Sequence, residues 1–308
     1  MIHDTLQRTM SPQSERARLE ARQPAAPHLL FLCACVVALI VFRAPLEALV
    51  RLAFQDDRYT STLAVPFISF ALIWVRRRTI FADARYSPGA GLVFALAGLT
   101  LLMITAFSTH IRAEYALSVR TFALLLVCAG AFICCYGMQA ARGCIFPLVF
   151  ILLAIPLPSG VLDHTVVALQ RGSAEVAYRL FKLVGMPVFR EGMFRLSLPG
   201  VTIEVAQECS GIRSTQSMFI GSIVAGYLIL RSSWSRVSFA LFTIPIVIVK
   251  NAVRIVTLSW LGVYVDSGFL HGRLHRYGGL PFSLLALFVL APVLFLLVRT
   301  ERRDETGA

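Results

Sequence analysis

The chain has 308 residues, of which 57% are hydrophobic and only 15% charged, with a mean hydropathy of +0.74. A soluble globular domain carries about 25% charged residues, and this chain holds too little polar surface to cover a water-soluble core of that size. The net charge of +12 points to no nucleic-acid partner. Many of the arginines stand at the ends of apolar runs, where cytoplasmic loops are expected to be basic, and no basic helix is interleaved with exposed aromatics.

Residues 1–28 are polar, carry Arg8, Arg16, Arg18 and Arg22, and lack an apolar stretch before a small-residue cleavage site. They read as a disordered basic cytoplasmic tail rather than a cleaved signal peptide. The apolar runs that follow predict an all-α polytopic membrane protein with about eight transmembrane helices, near 29–47, 60–75, 89–108, 117–138, 143–158, 212–230, 237–262 and 280–298. They form one transmembrane domain over 29–298, and 299–308 make a second cytoplasmic tail. Arg76, Arg77, Arg78, Arg85, Arg142, Arg231, Arg236, Arg299, Arg302 and Arg303 fall on the side of the N-terminal tail if there are eight spans, so both termini are expected in the cytoplasm.

The longest outer connection, 159–211, carries its own structural signals. Val166, Leu169, Val176, Leu180 and Val184 recur near helical spacing and predict a helix on the membrane surface over about 164–186. Phe194, Leu196 and Leu198 alternate with polar residues, as do Val201, Ile203 and Val205, across Pro199-Gly200. That pattern predicts a β-hairpin with a two-residue turn. The hairpin aims the chain at Glu208-Cys209-Ser210-Gly211, where the next span begins.

Of seven cysteines, Cys33, Cys35, Cys128, Cys134, Cys135 and Cys144 lie within spans or at their inner ends and read as small packing residues. Cys209 is expected at the outer surface, in a polar motif, before a helix N-terminus whose peptide dipoles favour the nucleophilic thiolate. The seventh span contains Lys250, Asn251 and Arg254, costly groups unless paired or functional. Arg254 follows Val237 by 17 residues, about 25 Å at the rise of an α-helix, near the level expected for Cys209. The bland alternative, snorkelling to outer headgroups, suits Lys250 best. His271 and His275 lie in the next outer loop. Cysteine, arginine and histidine at one membrane depth suit thioester chemistry, with the arginine stabilising an anion and a histidine moving protons. A zinc site on His271 and His275 has no obvious third ligand.

Three blocks carry a family resemblance: Glu208-Cys209-Ser210-Gly211-Ile212-Arg213-Ser214, then Asn251-Ala252-Val253-Arg254-Ile255, then His275 with Gly279 and Phe282. Together and in this order they resemble the signature blocks of the exosortase/archaeosortase family, specifically from about Pro156 to Phe282. The resemblance implies a membrane cysteine transpeptidase. Such an enzyme cleaves a C-terminal sorting signal (a short motif such as Pro-Glu-Pro, a transmembrane helix and a basic end) on exported, membrane-anchored proteins at the outer face. It then passes the acyl group to a surface acceptor of unknown identity. Carried over, Cys209 matches the nucleophile, Arg254 the essential arginine and His275 the histidine. Glu208, Ser210, Gly211, Arg213, Asn251 and His271 stand as supporting residues, and Arg195 or Arg213 are candidates to meet an acidic residue of the motif. The resemblance implies the inner membrane of a Gram-negative-type cell and neither metal nor organic cofactor. Two other classes remain as alternatives: a small-molecule transporter, which would use the intramembrane cations as a substrate path, and a non-enzymatic factor for surface polysaccharide assembly.

Overall fold

The computed structural model describes residues 25–82, 86–108, 110–205, 212–266, 268–271 and 279–306. The protein is mostly helical, with one small sheet, and its residues divide into two compact units, 1–55 with 62–156, and 56–61 with 157–308.

The first unit contains α1 (Ala25–Val41), α2 (Arg43–Gln55), most of α3 (Thr60–Val75), α4 (Pro88–Phe107), α5 (Ala113–Gly143) and the short α6 (Ile145–Phe150). The pairing of α4 with α5 depends on glycine. A Cβ on Gly130 would lie 2.6 Å from both the Ala95 nitrogen and the Gly91 oxygen, and one on Gly98 would lie 2.6 Å from the Ala123 oxygen. Close backbone approach of this kind replaces the hydrophobic driving force that helices lack in lipid. Arg120 on α5 donates to the Thr105 carbonyl at 2.8 Å, satisfying an acceptor at the C-terminal end of α4. At the start of α1, His28 Nδ1 lies 2.9 Å from the Tyr136 hydroxyl, within a cluster that includes Phe31, Phe81 and Phe132.

The second unit contains α7 (Ser159–Leu183), β1 (Phe189–Glu191), β2 (Arg195–Leu198), β3 (Val201–Glu204), α8 (Ile212–Ile229), α9 (Ser233–Tyr264) and α10 (Gly279–Thr306). The long α9 is its centre and packs against α7, α8 and α10. The sheet has order β1-β2-β3 and is antiparallel throughout. The predicted hairpin forms with Leu198 opposite Val201, and Gly200 takes the turn position at φ +77°, where any side chain would be strained. Leu196, Leu198 and Val205 are buried against Ala174, Ala177 and Phe181 of α7 and Ala252 and Ile255 of α9. At the other end, the Glu301 carboxylate accepts from the backbone nitrogens of Arg231 and Ser232 at 3.0 and 2.9 Å, tying α10 to the turn that opens α9.

Among the described residues, five helices are long and apolar enough to cross a membrane, or seven candidates result if each of two bent pairs counts as one span. The expected count of eight is not confirmed, because three of the expected spans are not single apolar helices long enough to cross. The run at 143–158 does not form one helix: ten residues of α6 and a following 3₁₀ turn end before Pro156 and Pro158, and α7 starts separately at Ser159. Proline cannot donate a backbone hydrogen bond. The carbonyls left at this break are taken up by Ser118, which donates to Pro156 at 2.6 Å, and by Tyr59, which donates to Leu157 at 2.9 Å. The α8 helix forms where a span is expected, but Arg213, Ser214, Thr215, Gln216 and Ser217 fill its first turns, and it is not among the five. The first expected span, 29–47, is also broken: α1 and α2 meet at 74° around the fully buried Phe42. Phe67, Phe107 and Phe288 are largely exposed on the candidate spans, as suits side chains solvated by lipid.

The helix expected over 164–186 forms as α7 and begins five residues earlier, at Ser159. Its buried stripe is Leu162, Val166, Leu169, Ser173, Ala177 and Phe181, whereas Val184 is exposed. Small and polar residues complete the buried face, so apolar spacing alone misplaced it.

Candidate active site

Cys209, Glu208, Ser210, Gly211 and His275 lie outside the described residues. The backbone of His271 ends a short helical turn, Gly268–His271. Arg213, Asn251 and Arg254 are described, and the frame around them is built from α7, α8 and α9.

Asn251 is 1% exposed and donates from Nδ2 to Ser173 Oγ at 3.0 Å, joining α9 to α7. One residue earlier, Lys250 is 4% exposed and donates from Nζ to Ser214 Oγ at 2.6 Å, joining α9 to the first turn of α8. The snorkelling reading of Lys250 therefore fails: its ammonium points into the protein. Gln170 on α7, 5% exposed, donates from Nε2 to the Val205 carbonyl at 2.9 Å. Val205 directly precedes the segment 206–211 and Ser214 follows it closely, so buried polar side chains hold the chain on both sides of the cysteine motif. Arg254 is half-buried on α9, one turn beyond Lys250.

Sequence reasoning passed over Gln170, Ser173 and Ser214 as contributors to this frame. Each looks like an ordinary polar residue on an amphipathic helix, and its partner is 35 or more residues away.

The two arginines considered for an acidic motif are already engaged. Arg195 pairs with Glu204 across the hairpin at 3.1 Å, and Arg213 reaches Asp57 at 3.4 Å. A groove of about 670 Å³ lies between α7 and the sheet, and His164, Arg171, Glu175, Arg190 and Met193 are among its lining residues. Glu175 binds Arg190 at 2.7 Å and Arg179 at 3.0 Å. Arg171 makes no ion pair among the described residues. His164 donates from Nδ1 to the Gly160 carbonyl at 2.6 Å. Among the described residues, no three of His, Cys, Asp and Glu converge on a metal-holding position.

Five to seven candidate membrane-spanning helices, two of them broken, together with a small three-stranded sheet and a buried polar frame, define a polytopic helical membrane protein. The family model for transmembrane exosortases matches residues 53–292, and the chain belongs to that family. No curated protein and no solved structure matches it.

Proposed function

We propose that the protein is a membrane-embedded cysteine peptidase and transpeptidase acting on C-terminal sorting signals of exported proteins at the outer face of the inner membrane, with both termini in the cytoplasm. The observation that carries this reading is family membership over residues 53–292, joined to a described frame that holds the chain on both sides of Cys209 and sets Arg254 one turn from Lys250.

In this reading the Cys209 thiolate attacks the scissile carbonyl carbon and its negative charge passes to the carbonyl oxygen. Arg254 stabilises that oxyanion. As the tetrahedral intermediate collapses, the carbon–nitrogen bond breaks, and His275 delivers a proton to the departing amine. The product is a Cys209 thioester and a free C-terminal membrane anchor. An acceptor nucleophile at the surface, or water, then attacks the thioester, passes its proton to His275 and releases the thiolate. A substrate anchored by its own helix reaches the site by lateral diffusion. The groove beside α7 suits an extended peptide leading to that anchor, with Arg171 available for a carboxylate.

The test is processing of a reporter bearing a C-terminal sorting signal, coexpressed with the wild type and with Cys209→Ala, Arg254→Ala, His275→Ala and His271→Ala at matched membrane levels. The reading expects the wild type to shorten the reporter, the first three variants to fail and His271→Ala to succeed. Normal processing by Cys209→Ala overturns the cysteine mechanism.

A further inference from the structure

Lys250 is buried, and its ammonium meets a neutral hydroxyl: Nζ donates to Ser214 Oγ at 2.6 Å. No carboxylate among the described residues pairs with it. Arg254 shares its helix face four residues on, and like charges at that spacing repel. Burying an ammonium without a counter-charge is costly. A methionine or leucine would fill the same space without that cost, so this position keeps an amine donor to Ser214 at the expense of stability.

The geometry points to what is gained. Ser214 sits in the first turn of α8, directly after the cysteine motif, and Arg254 sits one turn from Lys250 on α9. The ammonium–hydroxyl contact thus fixes the start of α8 at one register along α9. A neighbouring tie, Asn251 to Ser173, fixes α9 on α7, and a third, Gln170 to Val205, fixes the end of the hairpin on α7.

We propose, resting on the functional reading above, that Lys250 is a positioning residue: through Ser214 it holds the first turn of α8 against the turn of α9 that carries Arg254. Its contribution is to the chemical step and not to substrate binding.

The experiment uses the full chain in membranes and compares Lys250→Met, Ser214→Ala, Ser214→Thr and the double variant Lys250→Met/Ser214→Ala, assayed on the processed reporter. Thr243→Val serves as control; Thr243 is buried on the same helix, and its hydroxyl donates to the Phe239 carbonyl one turn back. The expected result is a loss of about tenfold in kcat for Lys250→Met and for Ser214→Ala, with KM changed by less than about twofold. The double variant is no slower than either single one, Ser214→Thr keeps most of the rate, and Thr243→Val keeps all of it. The inference is overturned by an unchanged kcat in Lys250→Met, by multiplicative losses in the double variant, or by Ser214→Thr as slow as Ser214→Ala. Reporter processing that survives Cys209→Ala in the same assay overturns the functional reading itself, which separates the two failures.

Discussion

Asn251 Nδ2 and Ser173 Oγ meet at 3.0 Å between α9 and α7, with both residues almost wholly buried. The bond crosses 78 positions of sequence and secures the helix that carries Arg254. A buried hydrogen bond contributes about 1 kcal/mol net, and leaving one partner unsatisfied costs about 1–3 kcal/mol. Asn251→Ala is therefore expected to lower stability in that range, and Ser173→Ala to lower it less. A double-mutant cycle read by thermal unfolding in detergent checks this, with a coupling of about 0.6–1.5 kcal/mol expected. Additive losses would show that the two side chains act separately.

In the other unit, the contact of α4 with α5 leaves no room for a methyl group at Gly130. Its Cβ would stand 2.6 Å from the Ala95 nitrogen and the Gly91 oxygen, which are backbone atoms that cannot rotate away. Gly130→Ala should force the helices apart and cost about 1–3 kcal/mol, and Gly130→Leu more. Gly221, which has open space around its Cβ position, is the matched control: Gly221→Ala should be neutral or slightly stabilising. Equal melting temperatures for Gly130→Ala and Gly221→Ala would contradict the close packing.

Much of this architecture was legible in the sequence because period and length write it there. Alternation around Pro199-Gly200 gave the hairpin its register, and long apolar runs located α3, α4, α5 and α9 within a few residues; α10 starts where expected but continues to Thr306, through residues expected as a tail after 298. The third strand, Phe189–Glu191, was missed because three exposed residues show no alternation to read. The broken run at 143–158 was missed for a different reason. Hydropathy continues to Leu157, whereas backbone hydrogen bonding stops near Ala154 because of the prolines beyond it. In the candidate site, Arg254 and Asn251 stood out as polar groups in an apolar helix. The inward direction of Lys250 did not, since it is decided by Ser214, a residue of ordinary appearance 36 positions away.

The groove beside α7 supplies a prediction about substrate choice. Glu175 is already shared between Arg190 and Arg179, which leaves Arg171 as the lining arginine without an ion pair among the described residues. If a substrate carboxylate meets Arg171, Arg171→Glu should lower kcat/KM by about tenfold, equivalent to about 1.4 kcal/mol, mainly through KM. A reporter whose acidic residue is changed to lysine should recover on the Arg171→Glu enzyme and lose on the wild type. Unchanged kinetics on both reporters would remove Arg171 from recognition while leaving the mechanism at Cys209 untouched.

The last prediction concerns acid stability at the start of α3. The Asp56 carboxylate accepts from the Arg58 backbone nitrogen at 2.9 Å and from its guanidinium at 2.7–3.0 Å, and the same guanidinium reaches Asp163 of α7 at 2.7 Å. The Arg58 guanidinium holds the Asp56 carboxyl below its ordinary range. A carboxyl with a depressed folded-state pKa contributes its full stability above its unfolded value, about 3.9, and loses it as pH falls through the folded value. At neutral pH, Asp56→Asn should therefore unfold at a lower temperature than the wild type. The difference should shrink steadily below about pH 4, as the wild-type carboxyl takes up a proton and its ion pair is lost. Thermal unfolding in detergent from pH 7 to pH 3 checks this, and a gap between the two proteins that stays constant across that range would mean that the charge on Asp56 does not secure the turn.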